Sequence, residues 1–218
     1  MHLYMNTADL PRVNRILKSR YNRTRAPIVE FVSATTGDPF KILVSTILSS
    51  RTKDRTTADA VKRLFSRVET PADLRKLSTS TIEKLIFPVG FFRVKAKHLK
   101  KLGKELQGRF DDTVPDTMRQ LCDLPGVGRK TANLVLTVAF DKHAICVDIH
   151  VHRISNRFGL VKTSTPLETE MALRSVLPLK YWKTWNSYLV SLGQTVCLPR
   201  KPLCSDCPLY DYCNRAGI

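Results

Sequence analysis

No run of about 18 apolar residues occurs in this 218-residue sequence, so no segment is suited to cross a bilayer as a helix. Met1 to Leu10 include Asp9 and lack an apolar block, so they do not read as a secretory signal; the expected location is intracellular, in the cytoplasm. Apolar–polar alternation is nearly missing, and Ala144 to Val147 is the only plausible strand. The chain contains neither Gly-x-x-x-x-Gly-Lys-[ST] nor Gly-x-Gly-x-x-Gly, which weakens a nucleotide-cofactor reading. Nine glycines and 12 prolines, with no internal repeat, exclude collagen-like and low-complexity classes. Acidic residues are scarce. Nineteen Asp and Glu against 36 Lys and Arg leave a net charge of +17, which calls for a polyanionic partner. With no membrane span, that partner is expected to be nucleic acid.

Helical spacing fills the space that strands leave. Phe40, Leu43, Val44, Ile47 and Leu48 follow an i, i+3, i+4, i+7, i+8 stripe. Similar stripes run through Ala58, Val61, Leu64 and Val68, through Leu99, Leu102 and Leu106, and through Val147, Val151, Ile154 and Phe158. Another, Trp182, Trp185, Leu189, Leu192 and Val196, leads into a cysteine cluster. Prolines at 39, 71, 88, 115, 125, 166 and 178 fit helix starts or loops. The fold class is all-α.

Three groups of residues carry chemistry. Cys197, Cys204, Cys207 and Cys213 lie within 17 residues with 6-2-5 spacing, while Cys122 and Cys146 are scattered. In a reducing compartment such a cluster reads as a metal site before disulfides. Structural zinc accepts four thiolates, but it usually takes two short knuckles; one knuckle with two long flanks better suits a [4Fe–4S] cube. Both metals stay open on spacing alone. Arg200 and Lys201, between the ligands, either balance thiolate charge or meet phosphate.

The second group is Leu124-Pro125-Gly126-Val127-Gly128-Arg129-Lys130-Thr131-Ala132, between two helical stretches. Its glycines allow a sharp reversal and a close backbone approach, and the amides opening the next helix favour an anion. A plain helical hairpin fits equally well. The third is Val147-Asp148-Ile149-His150. An isolated Asp there is a helix N-cap; a catalytic role needs a partner, which Lys130 can supply. His150 and His152 read as packing or hydrogen-bonding residues.

Together, Leu-Pro-Gly-Val-Gly-Arg-Lys-Thr-Ala-Asn at 124–133, Val-Asp-x-His at 147–150 and the cysteine pattern at 197–213 resemble the endonuclease III type of DNA glycosylase/AP lyase, in the helix-hairpin-helix superfamily. The resemblance implies Lys130 as catalytic nucleophile, Asp148 as catalytic carboxylate, and the four cysteines as ligands of a [4Fe–4S] cluster. It implies a six-helix barrel over 31–143, with 1–30 returning to pack on 144–218 as a cluster domain. The implied partner is double-stranded DNA holding a damaged base, expected to be an oxidised pyrimidine, or an abasic site. A monomer is expected.

The expected DNA contacts are Arg51, Phe91, Lys95, the hairpin residues Gly126, Val127, Gly128 and Arg129, and Lys201 of the cysteine loop. Arg51 stands where the bacterial pattern has glutamine, and Phe91 where it has an aliphatic wedge. Relatives specific for adenine carry a hydroxyl residue at the lysine position and some thymine-mismatch enzymes carry tyrosine, so Lys130 points to the bifunctional branch. A lysine nucleophile must be neutral to attack a sugar, although an ordinary lysine has a pKa of about 10.4. Partial burial and Arg129 are expected to lower that of Lys130 to about 7–8. A monofunctional mismatch glycosylase and a non-catalytic DNA-binding iron–sulfur protein are the alternatives.

Overall fold

A computed structural model of the chain describes residues 5, 7–21 and 28–218. The readings that fall on 1–4, 6 and 22–27 lie outside the described residues. Among those described, the helices are α1 (Leu10–Tyr21), α2 (Ile28–Thr36), α3 (Pro39–Ser49), α4 (Asp54–Phe65), α5 (Pro71–Lys76), α6 (Thr79–Ile86), α7 (Phe92–Phe110), α8 (Met118–Asp123), α9 (Arg129–Phe140), α10 (Ile149–Phe158), α11 (Pro166–Val176) and α12 (Trp182–Thr195). Their starts follow local chemistry. Asp38, Thr70, Ser78, Thr117, Asp148 and Thr165 each accept a hydrogen bond from a first-turn amide, and prolines open α3, α5 and α11.

The expected strand at 144–147 is not one. Ala144, Ile145, Cys146 and Val147 are buried but irregular, and no second alternating run offers a ladder partner. Instead the Asn186 side-chain amide donates to the Cys146 carbonyl at 3.0 Å, which satisfies that buried acceptor.

Internal contacts divide the chain into two compact units, residues 27–142 and residues 1–26 with 143–218. In the first unit α3 packs on α2, α4 and α9, while α7 packs on α5 and α6. Helix α3 is buried from Ile42 to Leu48 without interruption, so it is an enclosed helix and not a one-faced stripe. In the second unit, Leu10, Val13 and Leu17 of α1 join Val151, Ile154 and Phe158 of α10 and Trp185, Leu189 and Leu192 of α12 in one core.

Three cations of the first unit serve its framework. Arg63 Nε donates to Leu85 O at 2.9 Å, and Nη2 to Phe87 O, at the end of α6. Lys100 Nζ donates to Arg75 O, and to Leu77 O at 2.6 Å, at the end of α5. Lys95 Nζ does the same at the end of α3. Each meets carbonyls that a helix terminus leaves over and the partial negative charge gathered there. Among the described residues, no helix is long and apolar enough to cross a membrane.

Candidate nucleic-acid interface and metal centre

The hairpin joins α8 to α9. Val127 N donates to Leu124 O at 3.1 Å, closing the turn, and the ladder of α9 begins with Ala132 N donating to Gly128 O at 2.9 Å. The two glycines divide the work. Gly126 has φ +80°, and a Cβ there would approach His98 Nδ1 to 3.0 Å, so reversal and packing both require it. Gly128 has an ordinary φ of −93°, and a Cβ there would meet nothing within 4 Å. Its bare backbone leaves the surface open to an incoming group. Gly126, Gly128 and Arg129, which the sequence reading offers as DNA contacts, are exposed. Val127 departs from that expectation: its side chain is buried and its amide is spent on the turn, so it packs the hairpin from below.

Arg51 and Phe91 are 40 residues apart in sequence and meet in space. The Arg51 guanidinium lies over the Phe91 ring, 5.6 Å from its centroid. Phe91 is 61% exposed, so its ring is available to an incoming group. Both residues adopt left-handed backbone, with φ of +52° and +58°. Each such non-glycine residue costs about 1–2 kcal/mol, so the surrounding structure must hold them there.

Lys95 does not meet the expectation of a DNA contact. Its side chain is buried, and Nζ donates to Leu48 O at 2.9 Å, Ser50 O at 2.5 Å and Thr52 Oγ1 at 3.3 Å. Three acceptors use its three protons. Burial pulls its pKa down to about 8, into the range sought for a nucleophile. Geometry rules it out for that role, because the nitrogen faces protein carbonyls.

Lys130, the second residue of α9, is exposed; the partial burial expected of it is not provided by the protein around it. Asp148 is the N-cap of α10, and its Oδ1 accepts from His150 N and Val151 N, both at 2.9 Å. The capping reading is therefore correct, and it leaves Oδ2 outside the cap. Lys130 and Asp148 belong to different units, and each is described within its own.

All four clustered cysteines line one pocket, walled by Phe158, Leu192, Val196, Leu203, Tyr210 and Ile218. Among the described residues, no three His, Cys, Asp or Glu side chains converge as ligands of a single ion. Two donors suit thiolate sulfur: Arg157 Nη1 lies 3.4 Å from Cys197 Sγ, and Arg215 N lies 3.4 Å from Cys213 Sγ. Arg157 also donates to Leu198 O at 2.7 Å and Pro199 O at 2.8 Å, fixing the first ligand's loop. Burial pushes the Cys207 and Cys213 thiols up, and the neighbouring cysteines add to it. Metal ligation reverses that by holding the thiolate form. A soft sulfur set in an apolar pocket with N–H donors fits an iron–sulfur group, which would cross-link the 197–213 loop through the cysteines that hold it. Lys201 lies exposed on that loop. The purified protein is expected to be brown, with about four irons per chain by metal analysis; a colourless protein holding one zinc would refute the cube.

Thr52, Gly90, His98 and Arg157 escaped the sequence reading. A threonine in a turn, or a histidine inside a helical pattern, carries no local mark of a partner more than 25 residues away. Arg157 was visible only as one more charge on an amphipathic helix.

Residues 44–179 match the family model of the HhH-GPD superfamily base excision DNA repair protein. Residues 197–213 match the iron–sulfur binding domain of endonuclease III. The chain is 47% identical over 177 residues to endonuclease III of Thermotoga maritima, covering 81% of this chain and 83% of that protein. It is 45% identical over 186 residues to endonuclease III homolog 2, chloroplastic, of Arabidopsis thaliana, covering 81% of this chain but only 48% of that longer protein. It is similar to a solved non-covalent endonuclease III–DNA complex at a TM-score of 0.81, with 31% identity, 93% of this chain and 94% of that chain covered. A trapped endonuclease III–DNA covalent intermediate gives 0.79, with 32% identity and the same coverage of 93% and 94%.

Proposed function

This chain belongs to the HhH-GPD superfamily of base excision DNA repair proteins, in its endonuclease III group, and we propose that it excises oxidised pyrimidines from duplex DNA with Lys130 as nucleophile. It is a DNA glycosylase with abasic-site lyase activity and carries a [4Fe–4S] cluster. The observation that carries the lysine assignment is the exposed position of Lys130 at the head of α9, directly after the open glycine turn.

A base inside a duplex is out of reach, so the nucleotide must be extruded at a cost of a few kcal/mol. Phe91 and Arg51 fill the space it leaves, which offsets that cost. Gly126, Gly128 and Arg129 of the hairpin and Lys201 of the cysteine loop meet phosphates and fix the register. The neutral Lys130 amine attacks C1′, the bond from C1′ to the base breaks, and the base leaves with a proton. The nitrogen lone pair then opens the sugar ring and leaves an imine. Loss of a 2′ proton breaks the C3′–O bond by β-elimination, and hydrolysis of the imine returns Lys130. The role proposed for the Asp148 carboxylate is to stabilise the positive charge that develops on the sugar.

The reading assigns residues 31–143 to the barrel domain and 1–30 with 144–218 to the cluster domain. It also takes the enzyme to act as a monomer in the cytoplasm, on the nucleoid if the source is prokaryotic. A duplex holding one oxidised pyrimidine is expected to be nicked without added alkali; base release that needs alkali for strand cleavage would favour a monofunctional glycosylase. Binding without either would leave only a DNA-binding protein.

The same assay tests Arg51. A guanidinium in the vacated space donates to the acceptor edge of an opposite guanine, whereas glutamine both donates and accepts. Excision is therefore expected to be faster opposite guanine than opposite adenine, and Arg51→Gln to narrow the ratio. One bidentate contact is worth about 1–3 kcal/mol, so even part of it changes the ratio measurably. An unchanged ratio would leave Arg51 a phosphate contact only.

A further inference from the structure

Arg51 and Phe91 sit on separate connections, after α3 and before α7, and both hold left-handed backbone that neither residue prefers. Something must join the two connections. Gly90 N donates to Thr52 Oγ1 at 3.1 Å, and a Cβ at Gly90 would come within 2.6 Å of Arg51 O, so the two backbones touch. Lys95, one turn into α7, reaches back under this contact to Leu48 O, Ser50 O and Thr52 Oγ1. Thr52 Oγ1 is thus shared between Gly90 N and Lys95 Nζ. The ammonium closes the end of α3 and ties the turn bearing Arg51 to the helix that Phe91 begins.

We propose that Lys95 is a positioning residue that clamps Arg51 and Phe91 into one two-residue wedge, and that the rate of base extrusion depends on this clamp. The inference rests on the proposed role of that pair in filling the extruded base's place. Lys95 itself touches neither DNA nor the reacting sugar. Without the ammonium, the α3 carbonyls lose their donor and the 50–52 turn can relax out of its left-handed geometry. Arg51 and Phe91 then separate and no longer act together. The lowered pKa of about 8 agrees with an ammonium enclosed by backbone and held for its geometry.

The test is a mutant cycle in single-turnover excision by the intact, cluster-bearing protein on a duplex with one oxidised pyrimidine. Lys95→Met is expected to slow excision by at least about tenfold, within the 10²-fold that a 1 Å misplacement can cost. In an Arg51→Ala, Phe91→Ala background the same change is expected to cost less than about twofold, because no wedge remains to position. The slope of log affinity against log salt is expected to stay unchanged, whereas loss of a phosphate contact would reduce it by about one. Thr52→Val removes the shared hydroxyl with little change of shape and is expected to show the same background dependence, which covers the case of Lys95→Met failing to fold. An equal loss in both backgrounds, or a reduced salt slope, overturns the proposal. Wild-type protein that leaves the lesion untouched overturns the functional reading, and the wedge with it; wild-type excision with an equal loss in both backgrounds overturns Lys95 alone.

Discussion

Lys130→Gln is expected to bind duplex DNA containing an abasic site and to form no adduct when borohydride is added. Excision should fall by on the order of 10³-fold or more, as when a covalent nucleophile is removed. The substitution keeps a polar side chain of similar length at an exposed position of α9, so folding is expected to be unaffected. Binding is expected to survive, because the phosphate contacts proposed for Gly128, Arg129 and the exposed loop cations are left in place. A trapped adduct at the wild-type level in purified Lys130→Gln would move the nucleophile elsewhere. Lys95 would not inherit the role, since its three protons are committed to Leu48, Ser50 and Thr52. The pair of lysines shows why geometry outranks proton affinity here. Burial lowers the pKa of Lys95, but burial that ends on backbone carbonyls removes the nitrogen from any substrate.

Much of this was legible in the sequence, and what was not has a common cause. The stripes at 40–48, 99–106 and 147–158 mark helices α3, α7 and α10, although Val147 lies before α10 begins, because apolar spacing reports one buried face. That α3 is enclosed on all sides was not readable, since Ser45 and Thr46 look polar and are buried all the same. Thr46 hides by donating to Ile42 O at 2.7 Å within its own helix. The excess of cations pointed to nucleic acid, yet Arg63, Lys95, Lys100 and Arg157 are turned towards carbonyls inside their units. A lysine that meets phosphate and one that closes a helix end are the same letter. The partners lie 47 residues away for Lys95 to Leu48 and 41 for Arg157 to Leu198, beyond any local pattern. In the sequence both glycines of the hairpin read alike, as serving reversal and close approach, whereas only Gly126 has the positive φ that reversal demands.

Asp148→Asn is expected to fold as the wild type does and to excise about 10²–10³-fold more slowly. Asn caps a helix about as well as Asp, so the bonds from His150 N and Val151 N to Oδ1 can be kept by the amide oxygen. What disappears is the negative charge and the acceptor at Oδ2, which the cap does not use. In a site that gathers positive charge on the sugar, one oriented charge is worth about 3–4 kcal/mol, and the predicted slowing corresponds to that. Asp148→Ala removes cap and charge together. It should lose the same rate and also about 1 kcal/mol of stability, visible as a lower unfolding midpoint. Borohydride trapping by Asp148→Asn should persist, slowed in step with excision, because Lys130 is still present. The two substitutions separate the roles: equal rates with unequal stabilities assign the charge to chemistry and the oxygen to the helix. Wild-type excision by Asp148→Asn would leave Asp148 as a cap and nothing more.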